Sequence, residues 1–315
     1  MNNVSPYRIV FMGTPEFAVP TLKALHDNRY PVLAVATQPD RPKGRGRRMV
    51  APPVKEVAVG YGYAVLQPAR VKEAWFLEKI IALNPDVFVV IAYGHILPGS
   101  VLAIPRLGAI NIHASLLPAY RGPAPIQWAI INGDQETGVT TMWMDEGMDT
   151  GDILLTAKVP IGPDDTAQTL HNRLAHVGAQ RLIDTLDQLK SGHLVGTPQD
   201  QSKATHAPFL KKEDGRIDWR KEATSLDAFV RGMNPWPGAF TLLSGKRLKI
   251  YKAKPLEQRA GEKPGTVLPG FPGDLNVATG RGVLVLKEIQ LESGKRLGIE
   301  AFLRGCPVPP GTILG

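Results

Sequence analysis

The sequence is poor in features that mark whole classes of protein. It has one cysteine, Cys306, in 315 residues, which excludes an internal disulfide, a CxxC redox pair and a cysteine-based metal cage. Its most apolar stretch, residues 87–92, is far shorter than the roughly 18 residues that a membrane span needs. No basic segment followed by an apolar core opens the chain, and no His–carboxylate set has metal-ligand spacing. We therefore expect a cytoplasmic protein without a membrane segment or a metal site.

Composition and charge indicate a folded protein with a phosphate-rich partner. Hydrophobic residues make up 43% and charged residues 21% of the chain, and its length suits about two domains. Residues 1–208 carry 19 Lys and Arg against 18 Asp and Glu, whereas residues 209–315 carry 18 against 11. Five of the 19 bases lie in residues 41–48. This distribution favours nucleic-acid binding, although a basic surface that only keeps the protein soluble is the open alternative.

The first 190 residues alternate between apolar, β-rich runs and amphipathic runs. The strand-like runs are mostly continuous apolar segments, which is typical of strands covered by helices on both faces. The alternation predicts an α/β fold with a doubly wound, mostly parallel sheet. The predicted strands are residues 8–12, 32–37, 87–93, 109–113, 139–144 and 153–159, and the predicted helices are residues 17–26, 71–83, 125–131 and 164–191.

The pattern changes after the last of these helices. Residues 192–208 are polar and lack periodicity, so we predict a linker between domains at 1–191 and 209–315. A short helix at 225–231 and five short strand-like runs follow, which predicts a small β-barrel of the oligonucleotide-binding (OB) type. The predicted strands are residues 240–243, 248–253, 266–268, 275–278 and 283–289.

Three polar residues stand out as candidates for catalysis. Asn111 and His113 are two apart in a predicted strand, so their side chains share one face near the carboxyl end of that strand. Asp149 lies in a turn with two glycines and four acids, from which it could reach His113. Asn and protonated His can donate to a developing oxyanion, while Asp can hold the imidazolium and relay a proton. Because Ser115 lacks a G-x-S-x-G context, the set favours acyl-type transfer without a covalent intermediate.

Longer motifs around these residues resemble a known family. NIHASLLP at 111–118, YRG at 120–122 and MDTGD at 148–152 are similar to the signature of the 10-formyltetrahydrofolate-dependent formyltransferases. Within that family the resemblance is strongest to the members that act on tRNA, and it extends over essentially the whole chain. FMGTPEF at 11–17, QPDRPKGRGR at 38–47 and NPWP at 234–237 carry this closer match.

The resemblance implies a fold, a reaction and a set of site residues. The fold is a Rossmann-like domain, a linker and an OB-like domain, and the reaction is formyl transfer from 10-formyltetrahydrofolate to the α-amino group of initiator methionyl-tRNA. The catalytic residues are then Asn111, His113 and Asp149. No metal is implied, and we expect a monomer. The implied folate-binding residues are Tyr93, Gly94, Ile96, Ser115, Leu116, Leu117 and Pro118, and the implied tRNA-binding residues are Arg41, Lys43, Arg45, Arg47 and Arg48.

Three other functions remain open at this stage. A formyltransferase acting on a sugar nucleotide would share the core motif but would have no use for the basic segment 41–48. A hydrolase that deformylates 10-formyltetrahydrofolate could use the same three residues with water. A catalytically silent RNA-binding protein would not need them.

Overall fold

The computed structural model of the chain describes residues 7–43, 48–258, 261–271 and 273–315. Two compact units are built from interleaved segments. The first comprises Met1–Gly122, Thr137–Val159 and His171–His206, and the second comprises Pro123–Glu136, Pro160–Leu170 and Ala207–Gly315. Within the described ranges no helix combines the length and apolar character needed to cross a membrane.

The regular elements follow in chain order. The strands are β1 (Ile9–Gly13), β2 (Val32–Ala36), β3 (Arg41–Lys43), β4 (Arg48–Val50), β5 (Val65–Leu66), β6 (Val87–Ile91), β7 (Ala109–His113), β8 (Glu136–Trp143), β9 (Ile153–Pro160), β10 (Ala239–Leu243), β11 (Lys246–Leu256), β12 (Val267–Leu268), β13 (Leu275–Ala278), β14 (Val283–Leu291) and β15 (Leu297–Gly298). The helices are α1 (Val19–Asp27), α2 (Pro53–Gly60), α3 (Ala74–Ala82), α4 (Gly99–Leu102), α5 (Pro125–Ile131), α6 (Ala167–Ser191), α7 (Ala223–Gly232) and α8 (Ile299–Gly305).

The first unit is organised around a seven-stranded sheet in the order β5-β2-β1-β6-β7-β8-β9. The pairings from β5 to β7 are parallel, and β8 pairs antiparallel with β7. Strands β1 and β6 are buried along their whole length, as expected for apolar strands covered on both faces. Because β2 and β6 flank β1 on opposite sides, the carboxyl ends of β1 and β6 border the crevice where such folds bind ligands. The predicted mostly parallel, Rossmann-like sheet is confirmed.

The second unit contains a six-stranded antiparallel sheet in the order β10-β11-β14-β13-β12, with β15 paired to β14. It forms a half-barrel around a core that includes Leu226 and Val230 of α7 and Phe302 of α8. Ser244 and Gly245, which join β10 to β11, have φ angles of 49° and 76°. Positive φ at both central residues is the type I′ geometry that suits a two-residue hairpin. The predicted small C-terminal β-domain of the OB type is confirmed as an antiparallel half-barrel.

Several elements differ from the sequence-based prediction. No strand was predicted in the basic segment 41–48, but residues 41–43 pair antiparallel with residues 48–50 to form the β3–β4 hairpin. The elements α2, β5, α4, β15 and α8 were not predicted either. The long helix begins at Ala167 rather than at residue 164. Thr166 caps the helix: its Oγ1 accepts a hydrogen bond of 3.2 Å from Thr169 N, and its own N–H donates to Thr169 Oγ1 at 3.0 Å. The carboxylate of Asp165, which precedes the cap, accepts from Gly162 N at 2.7 Å and from Thr169 Oγ1 at 2.9 Å.

Candidate active site

Strand β7 presents two of the candidate residues at the carboxyl end of the parallel sheet. Ile110 and Ile112 are buried on one face of the strand, at 0% and 3% exposure. Asn111 and His113 therefore share the other face, as the two-residue period of a strand requires. His113 is buried at 6% exposure, and Asn111 is half-buried. The strand thus holds two polar side chains at the sheet edge where ligands bind in this class of fold.

Asp149 meets both residues from the turn between β8 and β9. Its Oδ1 lies 3.5 Å from Asn111 Nδ2, and its Oδ2 lies 3.6 Å from His113 Nδ1. The same Oδ2 accepts a hydrogen bond of 2.8 Å from the backbone of Gly122. Asp149 has φ of 56°, in the left-handed region that non-glycine residues seldom adopt. A surrounding network must hold such a residue in place, and the structure brings the three predicted catalytic side chains together.

The hydrogen bond of His113 fixes the tautomer of its neutral ring. Nε2 lies 2.9 Å from the carbonyl oxygen of Tyr120, and a carbonyl only accepts, so Nε2 carries a proton. In the neutral ring the free lone pair is then on Nδ1, which faces the Asp149 carboxylate. A proton added at Nδ1 would make this contact an ion pair. Nδ1 is therefore the ring nitrogen that can exchange a proton beside Asp149.

The loop after β7 contains four of the predicted folate-binding residues and is internally fixed. Ser115 is fully buried, and its Oγ donates a 2.6 Å hydrogen bond to the Ala119 carbonyl. Thr140 Oγ1 donates to the Ser115 carbonyl at 2.7 Å and accepts from Leu117 N at 3.1 Å. Leu117 is 6% exposed and Leu116 is half-buried, and the Leu117–Pro118 bond is cis. These contacts make the loop a rigid edge of the site rather than a flexible cover.

The other predicted folate-binding residues follow β6, the neighbour of β7. Gly94 is exposed with φ of 84°, and Ile96 is 80% exposed. Tyr93, in contrast, is 2% exposed and belongs to the core, and burial raises the pKa of its hydroxyl. Its carbonyl accepts a hydrogen bond of 2.9 Å from Thr14 Oγ1. Gly94 and Ile96 can therefore offer surface to a ligand, whereas Tyr93 fixes the backbone that carries them.

His95 lies between Gly94 and Ile96 but is not one of the residues predicted to bind folate. Its Nε2 is buried and has no hydrogen-bond partner among the described residues. Burial lowers the pKa of the imidazole, so the ring is held in its neutral form.

The basic segment borders a cavity at the carboxyl ends of β1 and β6. The cavity, of about 480 Å³, is lined mainly by apolar surface and by residues of both strands of the β3–β4 hairpin. Arg41 lies in its wall and donates a 2.9 Å hydrogen bond to Gln38 Oε1. Arg48 is exposed on β4. The predicted residues Arg45 and Arg47, and the side chain of Lys43, lie outside the described residues. Within the described ranges no group of three or more His, Cys, Asp or Glu could hold a metal ion.

Two solved structures share the overall fold. An N-formyltransferase from Helicobacter canadensis, in complex with folinic acid and dTDP-3-aminofucose, matches 92% of this chain and 100% of its own with a TM-score of 0.68 and 18% identity. HypX from Aquifex aeolicus, in complex with tetrahydrofolic acid, matches 95% of this chain and 47% of its own, with a TM-score of 0.64 and 19% identity. At such identities the likeness concerns the fold alone.

Similarity in sequence identifies the family to which the chain belongs more specifically than similarity in fold does. The formyl transferase family matches residues 7–186, and the formyl transferase C-terminal domain matches residues 210–307. Methionyl-tRNA formyltransferase from Geotalea uraniireducens is 53% identical over 309 residues, which cover 98% of each chain. The proteins of the same name from Geobacter metallireducens and Caldanaerobacter subterraneus are each 52% identical to this chain. Each alignment covers 98% of this chain, together with 98% of the Geobacter protein and 99% of the Caldanaerobacter protein. The chain therefore belongs to the formyl transferase family, in the group of the methionyl-tRNA formyltransferases.

Proposed function

We propose that the chain transfers the formyl group of 10-formyltetrahydrofolate to the α-amino group of initiator methionyl-tRNA. The observation that carries this proposal is the convergence of Asn111, His113 and Asp149 within 3.6 Å at the ligand-binding edge of the sheet. The full-length match to relatives of that name supports the choice of acceptor.

The three residues are proposed to divide the chemistry between them. As the α-amine attacks the formyl carbon, a C–N bond forms, and negative charge develops on the formyl oxygen. Asn111 stabilises that charge through its amide protons, and the positive charge that His113 gains when it takes up the amine proton at Nδ1 adds to this stabilisation. The attacking amine loses a proton, and the bond between the formyl carbon and the folate nitrogen breaks. The His113–Asp149 pair takes up this proton and delivers it to the departing nitrogen.

The folate is proposed to bind along the carboxyl ends of β6 and β7. Gly94 and Ile96 offer exposed backbone and apolar surface after β6, and the rigid loop of Ser115, Leu116, Leu117 and Pro118 borders the site after β7. Tyr93 supports this surface from the core. These residues fit a flat, partly apolar heterocycle because they combine apolar contact with backbone polar groups.

The tRNA is proposed to contact two basic regions. The β3–β4 hairpin and the residues between its strands, with Arg41, Lys43, Arg45, Arg47 and Arg48, would hold the acceptor end, and the second unit would bind the phosphate backbone. We further propose that the protein acts as a monomer in the cytoplasm. The single cysteine fits a reducing compartment, and sedimentation of the purified chain would test the monomer.

One labelling assay tests the proposed function. The protein is incubated with 10-formyltetrahydrofolate labelled in the formyl group, with and without methionyl-tRNA. We expect label in the tRNA fraction and little loss of formyl-folate when the tRNA is absent. Release of labelled formate without tRNA would identify a hydrolase, and transfer only to an amino-sugar nucleotide would identify a different acceptor. Either result would overturn the proposal.

Neutralising the basic hairpin is expected to weaken tRNA recognition selectively. In the double variant Arg45→Gln/Arg47→Gln, the KM for methionyl-tRNA should rise severalfold because charge-assisted contacts to phosphate are lost. The KM for 10-formyltetrahydrofolate should stay within about twofold. Arg29→Gln/Arg70→Gln, at two exposed arginines of the same unit, is the matched control. Loss of folate affinity with unchanged tRNA binding would show that the segment covers the folate instead.

Gly151→Ala is expected to disturb the turn that carries Asp149. A Cβ atom at position 151 would collide with the carbonyl oxygen of Trp143, which belongs to β8 and cannot move freely. The turn must therefore shift, and a displacement of about 1 Å at a catalytic group costs roughly 10²-fold in rate. Gly60→Ala, where a Cβ meets open space, is the control. Measured kcat equal to wild type in Gly151→Ala would contradict the assigned position of Asp149.

A further inference from the structure

Residues 197–206, which the sequence predicts to be part of a linker, cross both loops of the candidate active site. We name them the strap. At one end Thr197 and Ile153 exchange two backbone hydrogen bonds of 2.8 Å. At the other end Thr205 Oγ1 accepts a 2.8 Å hydrogen bond from the backbone of Tyr120, whose carbonyl holds His113. The Thr205 carbonyl also accepts from Arg121 N at 2.8 Å. The strap therefore ties the loop after β7 to the turn after β8.

Gln199 is the centre of the strap. Its Nε2 donates to the carbonyl of Asp149 at 2.9 Å and to the carbonyl of Gly151 at 2.7 Å. Its Oε1 accepts from Arg121 Nε at 3.1 Å and from Arg121 Nη2 at 2.7 Å. Gln199 and Arg121 are 7% and 4% exposed. The buried Gln199 amide thus donates both of its protons to carbonyls of the Asp149 turn, and its oxygen accepts from the buried Arg121 guanidinium.

These contacts account for the unusual backbone of Asp149. A left-handed conformation is unfavourable at a residue other than glycine, so other contacts must stabilise it. The Gln199 amide fixes the carbonyl of Asp149, and the backbone of Gly122, next to Arg121, fixes its carboxylate. The main chain and side chain of Asp149 are therefore held by two partners that the strap itself orients.

We infer that Gln199, oriented by Arg121, is a positioning residue for Asp149, and that the strap is part of the catalytic machinery rather than a passive linker. This inference rests on the proposed function. Glutamine suits the position because it alone among the side chains of this length offers two donors and an acceptor. Glutamate keeps the acceptor for Arg121 but turns a negative charge toward two carbonyl oxygens.

Full-length variants test the inference. Gln199→Ala and Gln199→Glu are expected to lower kcat for formyl transfer by roughly 10–100-fold, because Asp149 is displaced, while both KM values stay within about threefold. Gln199→Glu should unfold at a temperature close to wild type, since its pairing with the Arg121 guanidinium is kept. Gln188→Ala and Gln188→Glu, at an exposed glutamine of α6 that lies outside the strap, are the matched controls and should leave kcat unchanged.

A double-mutant cycle separates positioning from independent action. If Gln199 acts through Asp149, Gln199→Ala should lower kcat by less than about twofold in an Asp149→Ala background. The same fold loss in both backgrounds, or wild-type kcat in both Gln199 variants, would overturn the inference. In the second case a strong defect of Asp149→Ala would still support the proposed function. Absence of formyl transfer by the wild-type protein would refute that function instead.

Discussion

His113→Ala is expected to lower kcat for formyl transfer by roughly 10²–10³-fold, which is the usual effect of removing one donor to a developing oxyanion. The variant also loses the ring that receives the proton of the attacking amine. Because alanine at position 113 removes one hydrogen bond to a backbone carbonyl and one contact with the Asp149 carboxylate at the edge of the sheet, the fold should persist. Steady-state kinetics with circular dichroism on the same samples measure both quantities.

Asp149→Asn is expected to have a similar effect for a different reason. The amide keeps the size of the side chain but cannot accept a proton or stabilise an imidazolium. Since His113 and Asp149 handle the same proton, the double variant His113→Ala/Asp149→Asn should lose far less than the product of the two single losses. Near-normal turnover of correctly folded His113→Ala, or fully multiplicative losses, would refute the proposed mechanism.

Binding of methionyl-tRNA is expected to fall steeply with salt, because residues 209–315 carry 18 Lys and Arg against 11 Asp and Glu. Neutralised phosphates release counterions, so the logarithm of affinity falls linearly with the logarithm of salt concentration. A protein with 6–10 phosphate contacts loses about 10³–10⁵-fold between 50 and 200 mM salt. Titrations at four or five salt concentrations measure the slope.

Two lysines of β11 provide the variant for this experiment. Lys246 is exposed and Lys249 is half-buried, and neither has an ion pair within the described part of the chain. In Lys246→Gln/Lys249→Gln, each lost phosphate contact should flatten the slope by roughly 0.7–0.9. Lys72→Gln/Lys79→Gln, two exposed lysines of the first unit, should leave the slope unchanged. An equal change in both variants would mean that net charge, rather than this strand, governs binding.

Local patterning was sufficient to predict six of the seven strands in the sheet of the first unit, all except β5. The strand at 109–113 and the helix at 125–131 were predicted with their observed bounds, because apolar runs and a starting proline mark them directly. The β3–β4 hairpin could not be predicted in the same way. Arg41, Lys43 and Arg48 are polar, and each of the two strands is only three residues long. Neither hydrophobic periodicity nor an apolar run therefore marks these strands in the sequence.

The candidate site was only partly predictable for a related reason. Asn111 and His113 share a strand face by geometry, and the MDTGD motif identified Asp149. Gln199 could not be found, because its role depends on contacts with residues 48 to 78 positions away, and a polar stretch without periodicity has the composition of a linker. In the second unit, Ala124 joins a core formed mainly by residues beyond 209, and chain order alone cannot reveal that.

Identification of the amino acid released from the tRNA tests the central claim most directly. Methionyl-tRNA is incubated with 10-formyltetrahydrofolate and either the wild-type protein or His113→Ala, the ester bond is hydrolysed, and the released amino acid is analysed by mass spectrometry. The proposed function predicts N-formylmethionine from the wild-type reaction and almost only free methionine from His113→Ala at the same time point. Unmodified methionine in both reactions, or N-formylmethionine formed equally fast by both proteins, would contradict it.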